Sequence, residues 1–412
     1  MFRKSTVFVL GAGASWHYGY PTGEGLVESV ISMARRLQQY CDNRLQCGQV
    51  VPLTPDYVEQ FRDGSKGFKG AIDAWEHVKE ECQVLINRLQ SVRPLLIDHF
   101  LAWNDSLRQI GKLMIAAVIL ECEAIWLRER GNQNRRLLLA NAPKPPSATK
   151  LAKIDTTEYH DDWCRFVIHK LVYGCTKSVD LLLKNDVHFV TFNYDYSLEQ
   201  KLFSALTSID MLENQDVLKF LTIDRIIHVY GSVHSPVAFN SDKIDVRIAE
   251  DLGNKFGTPL NHEAEFQPRK DFLDRCFVAS KGLRTIDPHD KEENQASLKC
   301  ASKWISAAKV VYILGYGFDN DNNRRIGLDF GLKGKTPGFP VGLGKNVMFT
   351  NFGNVNTVNK SASFLWYNNH NAFLSDSDGW ADGTPNGDYY IEKSVRTVYE
   401  ALEEDFPPLE AE

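Results

Sequence analysis

Short apolar runs that end in glycine, asparagine or another small polar residue recur along this chain. The clearest runs stand at residues 7–10, 187–192, 226–230 and 310–314, and a shorter one stands at 346–350. They are rich in branched and aromatic side chains, which favour buried strands. The runs therefore predict the strands of a sheet.

Between the first two runs, apolar residues recur every three or four positions, which is typical of helices. This spacing predicts helices over 25–36, over 71–130 with a break at Pro94, and over 161–184. Less regular stretches at 37–70 and 141–147 predict loops. Further helices are expected over 193–206 and over 393–406, and another is expected to end at 308.

This alternation of strands and helices predicts an α/β fold with a Rossmann-like, open and mainly parallel sheet. Residues 1–35 and 185–412 would form the sheet domain, which is the predicted nucleotide-binding unit. Residues 36–184 would form a large helical insertion between the first and second strands.

Composition and charge exclude several classes of protein. Hydrophobic residues make up 43% of the chain and charged residues 24%, as in an ordinary globular protein. The formal net charge of −6 gives no attraction to nucleic acid, so we expect no direct binding to it. The longest apolar run, Leu113 to Leu120, is too short to span a bilayer, and no membrane association is expected.

The eight cysteines include no Cys-x-x-Cys pair, the spacing typical of structural zinc sites. We therefore expect no zinc. Residues 1–4 lead directly into the first predicted strand, which leaves no room for a signal peptide. The expected location is the reducing cytoplasm.

The first strand leads into Gly11-Ala12-Gly13-Ala14-Ser15. Glycines let a backbone approach a pyrophosphate, and the amides of a following helix attract its charge. Trp16 stands where the dinucleotide fingerprint has its third glycine. A plain strand-to-helix turn is the alternative interpretation.

Three further motifs follow the next strands. They are Thr191-Phe192-Asn193-Tyr194-Asp195, His228-Val229-Tyr230-Gly231-Ser232 and Leu314-Gly315-Tyr316-Gly317-Phe318-Asp319-Asn320-Asp321. In this order and spacing, the four motifs resemble the sirtuin-like family, and specifically its bacterial branch used in anti-phage defence. The resemblance covers residues 5–35 and roughly 185–330.

The resemblance implies a hydrolase that cleaves NAD, its substrate, into nicotinamide and ADP-ribose. It also implies a defence effector that is gated by assembly, as a homo-oligomer or with a HerA-type ATPase partner. Deacylating sirtuins typically carry a zinc ribbon, so the missing cysteine pairs favour NAD hydrolysis. The residues expected to bind NAD are Gly11, Ala12, Gly13, Ala14, Ser15, Pro21, Thr22, Gly231, Ser232, Gly315, Tyr316 and Gly317.

Asn193 matches the catalytic asparagine of the family, and Asp195 matches the acid two residues later. A short amide just past a strand end can bind a ribose hydroxyl and a water together. Asp195 could orient its neighbours or the start of the next helix. The alternative is that Asn193 only caps that helix, a position that favours asparagine.

The third motif departs from the family, because Tyr230 stands where the family has its catalytic histidine. His228 lies two residues earlier on the same strand face, and His234 lies just beyond the motif. Histidine suits a general base because its ordinary pKa is near neutral. His228 is the favoured base, His234 is the second candidate, and a site with little turnover is the third interpretation.

The fourth motif is expected to close over the adenine-ribose end of NAD through Gly315, Tyr316 and Gly317. Asp319 or Asp321 would lie near the ribose hydroxyls, or else belong to an exposed turn. Two other functions compete with NAD hydrolysis. One is a nucleotide-binding regulatory or scaffold subunit, and the other is a protein deacylase.

Overall fold

The computed structural model describes residues 1–47, 68–131, 162–172, 180–209, 212, 214–221, 224–234, 270–285, 292–329, 345–367 and 389–406. Six strands within these residues form one sheet: β1 (Thr6–Leu10), β2 (Val187–Thr191), β3 (Ile226–His228), β4 (Val310–Leu314), β5 (Lys345–Thr350) and β6 (Tyr389–Ser394). Each neighbouring pair is parallel, and the order across the sheet is β3-β2-β1-β4-β5-β6. This is the Rossmann order, and it confirms the predicted α/β class.

Helices fill the connections between these strands. In chain order they are α1 (Ala12–Trp16), α2 (Gly23–Gln46), α3 (Phe68–Val92), α4 (Ile97–Trp103), α5 (Arg108–Gly131), α6 (Cys164–Val172), α7 (Asp180–Leu183), α8 (Ser197–Leu206), α9 (Asn214–Phe220), α10 (Lys270–Gly282), α11 (Glu292–Ala307), α12 (Asn320–Arg325), α13 (Asn356–Tyr367) and α14 (Val398–Glu400). Pro94 separates α3 from α4 as predicted, because proline cannot continue a helix.

Aromatic side chains hold the centre of the sheet together. Phe8 of β1 pairs in register with Phe189 of β2 and Tyr312 of β4. The ring centroids lie 5.3 and 4.8 Å apart, within the range of stacked aromatic pairs. β1 and β4 are buried along their whole lengths, as expected for central strands of a parallel sheet.

The helices between β1 and β2 share a core with the sheet. α2 packs against α3 and α5, and α10, which follows β3, also packs against α5. The buried apolar side chains of both parts form one cluster. α2 continues unbroken across the boundary predicted at residue 36. Among the helices the structure describes, none is long and apolar enough to cross a membrane.

Three elements differ from their predicted bounds. The helix expected to end near residue 36 continues to Gln46, and β3 ends at His228 instead of Tyr230. Lys393 was expected to begin the last helix, but it lies in β6, opposite Phe349 of β5. Pairing with a neighbouring strand decides such a segment more strongly than local preference. The loop predicted at 141–147 and much of the one at 37–70 lie outside the described residues.

Candidate active site

The loops that follow the parallel strands all meet at one edge of the sheet, called the carboxyl edge below. The four sequence motifs follow β1, β2, β3 and β4, so all of them lie at this edge. The direction in which the strands are added reverses between β1 and β4. In sheets of this order, ligands bind outside the carboxyl ends of the strands, near that reversal.

The two glycine loops at the reversal are in direct backbone contact. The Gly11 amide donates to the Leu314 carbonyl (2.9 Å), and the Gly13 amide donates to the Gly315 carbonyl (3.0 Å). A Cβ on Gly11 would lie 2.4 Å from the Gly315 oxygen, and one on Gly315 would lie 2.3 Å from the Ala14 nitrogen. The glycines thus allow two backbones to touch, and the Gly13 amide is already bonded within the protein.

The other loop residues expected to bind NAD separate into two groups. Ala14 and Ser15 line a small cavity beside the glycine loop. Ala12 begins α1, while Pro21 and Thr22 precede α2, where Thr22 is exposed. Only the first group is in contact with the other polar motif residues.

Asn193, the predicted catalytic amide, lies in the same cavity just after β2. Its side-chain nitrogen donates to the Ser15 hydroxyl (2.7 Å), and its backbone nitrogen donates to the Thr191 hydroxyl (3.1 Å). The first amide of α8, that of Ser197, donates to the Asp195 carboxylate (2.9 Å), and the residue that precedes the helix is Tyr196. Asn193 therefore does not cap the helix, and its side chain faces the site.

Asp195 organises the two hydroxyl groups beside it. Burial raises the pKa of the Asp195 carboxyl, while hydrogen bonds from Ser197 and Ser15 lower it; the net pKa stays raised. The Ser15 and Ser197 hydroxyl oxygens are themselves 3.4 Å apart. The acid, the two hydroxyls and the Asn193 amide thus form one buried polar network.

His228 lies beside Asn193 because β3 ends at this residue. It pairs in register with Thr191, the last residue of β2. Its Nδ1 is 2.8 Å from the Asn193 carbonyl oxygen, and its Nε2 is 2.6 Å from Oε1 of Glu199. His228 is therefore at the carboxyl edge, and not two residues behind it as a longer strand would have placed it.

The contacts of His228 fix its charge. Burial lowers the pKa of His228, but the attraction of Glu199 and the hydrogen bonds to Glu199 and to the Asn193 carbonyl outweigh it, so the net pKa is raised. When Glu199 is ionised, both partners are acceptors, so both ring nitrogens donate and the ring is an imidazolium. In this arrangement the ring has no lone pair with which to accept a proton.

Tyr230, at the family's histidine position, is turned away from the cavity. Its hydroxyl donates to the side-chain oxygen of Asn322 in α12, and its ring stacks on Tyr194 at 6.1 Å. Its exposed fraction is 3%, and burial is the largest cause that raises the pKa of Tyr230. A hydroxyl with a raised pKa is a poor base, and this one does not reach Asn193.

His234 forms a second pair of the same kind. Its Nε2 is 2.8 Å from Oε2 of Glu123, in α5. Burial lowers the pKa of His234, but the attraction and hydrogen bond of Glu123 raise it by more. The Tyr196 ring lies between the two histidines, 5.4 Å from His228 and 5.0 Å from His234. The pair connects the loop after β3 to the helical block.

Gly231 and Ser232 shape the loop that carries His234. Gly231 has φ +68°, and a Cβ there would lie 1.9 Å from the Gly282 carbonyl oxygen at the end of α10. The Ser232 hydroxyl donates to the His234 carbonyl (2.5 Å). Both residues therefore have a local structural role in this arrangement.

The fourth motif is mostly occupied by internal contacts. The Tyr316 ring stacks on Phe192 at 4.8 Å, whereas Gly317 faces open space. Asp319 caps α12 by accepting from the amide of Asp321 (3.1 Å), and Asp321 itself is exposed.

The cavity among these side chains is small. Its volume is about 10 Å³, the space that a single water molecule needs. Leu10 and Trp163 cover it, and the Trp163 indole donates to the Ala14 carbonyl (2.8 Å). Its polar walls are Ser15, Thr191, Asn193, Asp195, Ser197, Glu199 and His228.

Sequence reasoning missed three buried groups near this cavity. Oε2 of Glu199, Oε1 of Glu123 and the Tyr20 hydroxyl have no hydrogen-bond partner within the described ranges. Burial raises the pKa of Tyr20, and the charges of Glu123 and Glu199 raise it further. The one sequence signal was Glu123 itself, an acid just after the apolar run of α5.

Within the described part of the chain, no group of three or more His, Cys, Asp or Glu side chains is arranged to hold a metal ion. Comparisons with models of protein families, with curated proteins and with solved structures found no match to this chain. The resemblance to sirtuin-like proteins therefore rests on the four motifs alone.

Proposed function

We propose that this protein hydrolyses NAD to nicotinamide and ADP-ribose, as a defence effector that is inactive until it is activated. One observation carries the proposal. At the carboxyl edge of a Rossmann-ordered sheet, Asn193, Asp195, Glu199 and His228 surround the space of one water molecule. Hydrolysis of a nucleotide glycosidic bond can use such groups to hold a water molecule and a ribose hydroxyl.

The chemistry explains why this set of groups fits. Breaking the bond between nicotinamide and ribose develops positive charge on the sugar. Buried carboxylates such as Asp195 and Glu199 stabilise that charge, since they need no reorganisation when it forms. The linked amide and hydroxyl of Asn193 and Ser15 offer hydrogen bonds to a ribose hydroxyl and to the attacking water.

The closed geometry supports control of the activity. The cavity has room for water but not for a nicotinamide ring, and the glycine loops at the β1–β4 reversal are in contact. NAD could enter only after Trp163 or the loops move apart. We infer that this closed arrangement is the inactive form and that assembly, with further copies or with a HerA-like ATPase, opens it.

The test is to incubate the protein with NAD, with and without a HerA-like ATPase, and to measure the released nicotinamide by chromatography. Asn193→Ala should lower release by about 100-fold, because the ribose and the water lose their shared partner. Asn87→Ala, on the exposed face of α3, is the matched control and should keep full activity. NAD binding without any nicotinamide release, in every assembly state, would refute the hydrolase.

A second candidate function is a nucleotide-binding regulatory or scaffold subunit with little turnover. It is favoured by the doubly bonded His228 and by Tyr230, which is turned away from Asn193. Calorimetry with NAD and with ADP-ribose separates the two functions. A scaffold binds one or both and leaves NAD intact.

A further inference from the structure

Glu199 is the acid of the cavity that the motifs do not explain. It lies in the first turn of α8, has an exposed fraction of 3% and lines the cavity with Asn193. Its Oε1 is bonded to His228, while Oε2 has no hydrogen-bond partner among the residues described. A buried carboxylate oxygen without a partner is costly, so we expect a donor to occupy this place when the site works.

The neighbouring histidine supports Glu199 and does not compete with it. With Glu199 ionised, both ring nitrogens of His228 donate, one to the Asn193 carbonyl and one to Glu199. An imidazolium has no free lone pair, so it cannot take a proton from water. Its positive charge, 2.6 Å from Oε1, attracts the negative carboxylate and holds it in one orientation.

The other polar walls of the cavity are poor proton acceptors. Asn193 is a neutral amide, and the Ser15 and Ser197 hydroxyls are neutral as well. The Asp195 carboxylate already accepts from Ser197 at the start of α8. Among the cavity-lining carboxylates that the structure describes, Glu199 is the one with an oxygen that has no hydrogen-bond partner.

We propose that Glu199 is the general base of the hydrolysis and that His228 is a positioning residue that holds its carboxylate. This inference rests on the function proposed above. The bond between ribose C1′ and nicotinamide breaks, and its electron pair neutralises the pyridinium nitrogen. The water oxygen bonds to C1′, and one water proton passes to Oε2 of Glu199. The protonated acid later releases that proton to solvent.

A carboxylate base also accounts for the departure of the third motif from the family pattern. With Glu199 as the acceptor, the position before Gly231 needs no histidine, and Tyr230 is free to bond Asn322. Glu199 and His228 together then do the work of the single histidine of the family. Of the two, Glu199 accepts the proton from the water.

The first experiment compares Glu199→Gln with Glu80→Gln, an exposed acid on α3. Turnover of NAD should fall by about 100-fold to 10,000-fold in Glu199→Gln and stay unchanged in Glu80→Gln. NAD affinity, measured by calorimetry, should match the wild type in both. Wild-type turnover in Glu199→Gln would overturn the inference and leave the hydrolase proposal standing.

The second experiment uses the wild-type protein, so it does not depend on a variant that folds. The charged groups facing His228 are Glu199 and Asp195, and Tyr196 packs on its ring. If His228 must stay protonated to position the base, turnover falls as pH rises through its raised pKa. If His228 were the base, turnover would rise there instead, and the inference would be overturned.

His228→Gln should remove that alkaline fall and lower the maximum rate by less than Glu199→Gln does. An unchanged alkaline fall in His228→Gln would contradict its positioning role. No turnover by the wild-type protein in any assembly state would refute the hydrolase itself, a result distinct from failure of the Glu199 assignment.

Discussion

The carboxyl edge of the sheet differs on the two sides of β1. On one side lies a polar cavity of the size of one water molecule, and on the other side the backbones of two glycine loops are in contact. The cavity lies toward β2 and β3, where Asn193, His228 and Glu199 meet. The contact lies toward β4, where Gly13 and Gly315 are hydrogen-bonded. The motif residues therefore separate into side chains with available chemistry and glycines that serve packing.

A glycine motif can occur in a sequence for either of two physical reasons. A glycine is required wherever a backbone must approach closely, whether the neighbour is a phosphate or another backbone. Here the neighbour of Gly11 is the Gly315 carbonyl. Nucleotide binding at this position would thus require the two loops to separate first.

The largest effect is expected on the packed side. Gly315 has φ +61°, and an added Cβ would lie 2.3 Å from the Ala14 nitrogen. Gly315→Ala should lower the free energy of unfolding by about 3 kcal/mol or more, because neither backbone can yield cheaply. Urea unfolding measures this value.

Gly317→Ala, two residues away, is the matched control. Nothing lies within 4 Å of a Cβ placed there, and the residue has no positive φ. Its free energy of unfolding should stay within about 0.5 kcal/mol of the wild type. Equal losses in the two variants would show that the loops are not held together as described.

The polar side should instead respond to pH. The pKa values of His228 and His234 are raised in the folded protein above 6.5, their ordinary value. Their stabilising contribution is therefore complete below pH 6.5 and is lost as pH rises through the raised values. Each unit by which a pKa is raised contributes about 1.4 kcal/mol to the free energy of unfolding.

The contribution of each histidine to the free energy of unfolding is separated from all other titrations by comparing the wild type with His228→Gln and with His234→Gln. The difference in free energy of unfolding should be largest near pH 6 and shrink toward alkaline pH. A difference independent of pH would mean that the histidines are not held as imidazolium ions.

The smallest effect is expected from Tyr230→Phe. This variant tests whether Tyr230 serves packing or takes part in the polar cavity. The variant loses the hydrogen bond to Asn322, so the free energy of unfolding should fall by about 1 kcal/mol. NAD turnover should change by less than about threefold, since the phenol does not meet the cavity. A large loss of turnover with little loss of stability would make Tyr230 part of the reaction.

The sheet was largely predictable from sequence because its central strands carry unbroken apolar runs. β1 and β4 are buried at every position, so residues 7–10 and 310–314 were clear signals. β6 was missed because Tyr389–Ser394 becomes a strand only through its pairing with β5. The end of β3 was placed too late, since local preference cannot show where the chain turns out of a sheet.

The sequence motifs drew attention to Asn193, two residues after β2, and to His228, the last residue of β3, and both line the cavity. Glu199 gave no signal, because an acid in the first turn of a helix is ordinary. Glu123 comes from a helix distant in sequence and meets His234 only in the folded chain. A buried strand can be recognised from the local sequence, whereas the partners of a buried charge cannot.

The order of the strands has a consequence for synthesis on the ribosome. β1 emerges first, yet Thr6 pairs with Val187 on one side and Val310 on the other. β1 therefore waits for its first neighbouring strand until nearly half of the chain has been translated, and for its second until about three quarters has been. A nascent chain cannot assemble the cavity before β2, α8 and β3 have been made.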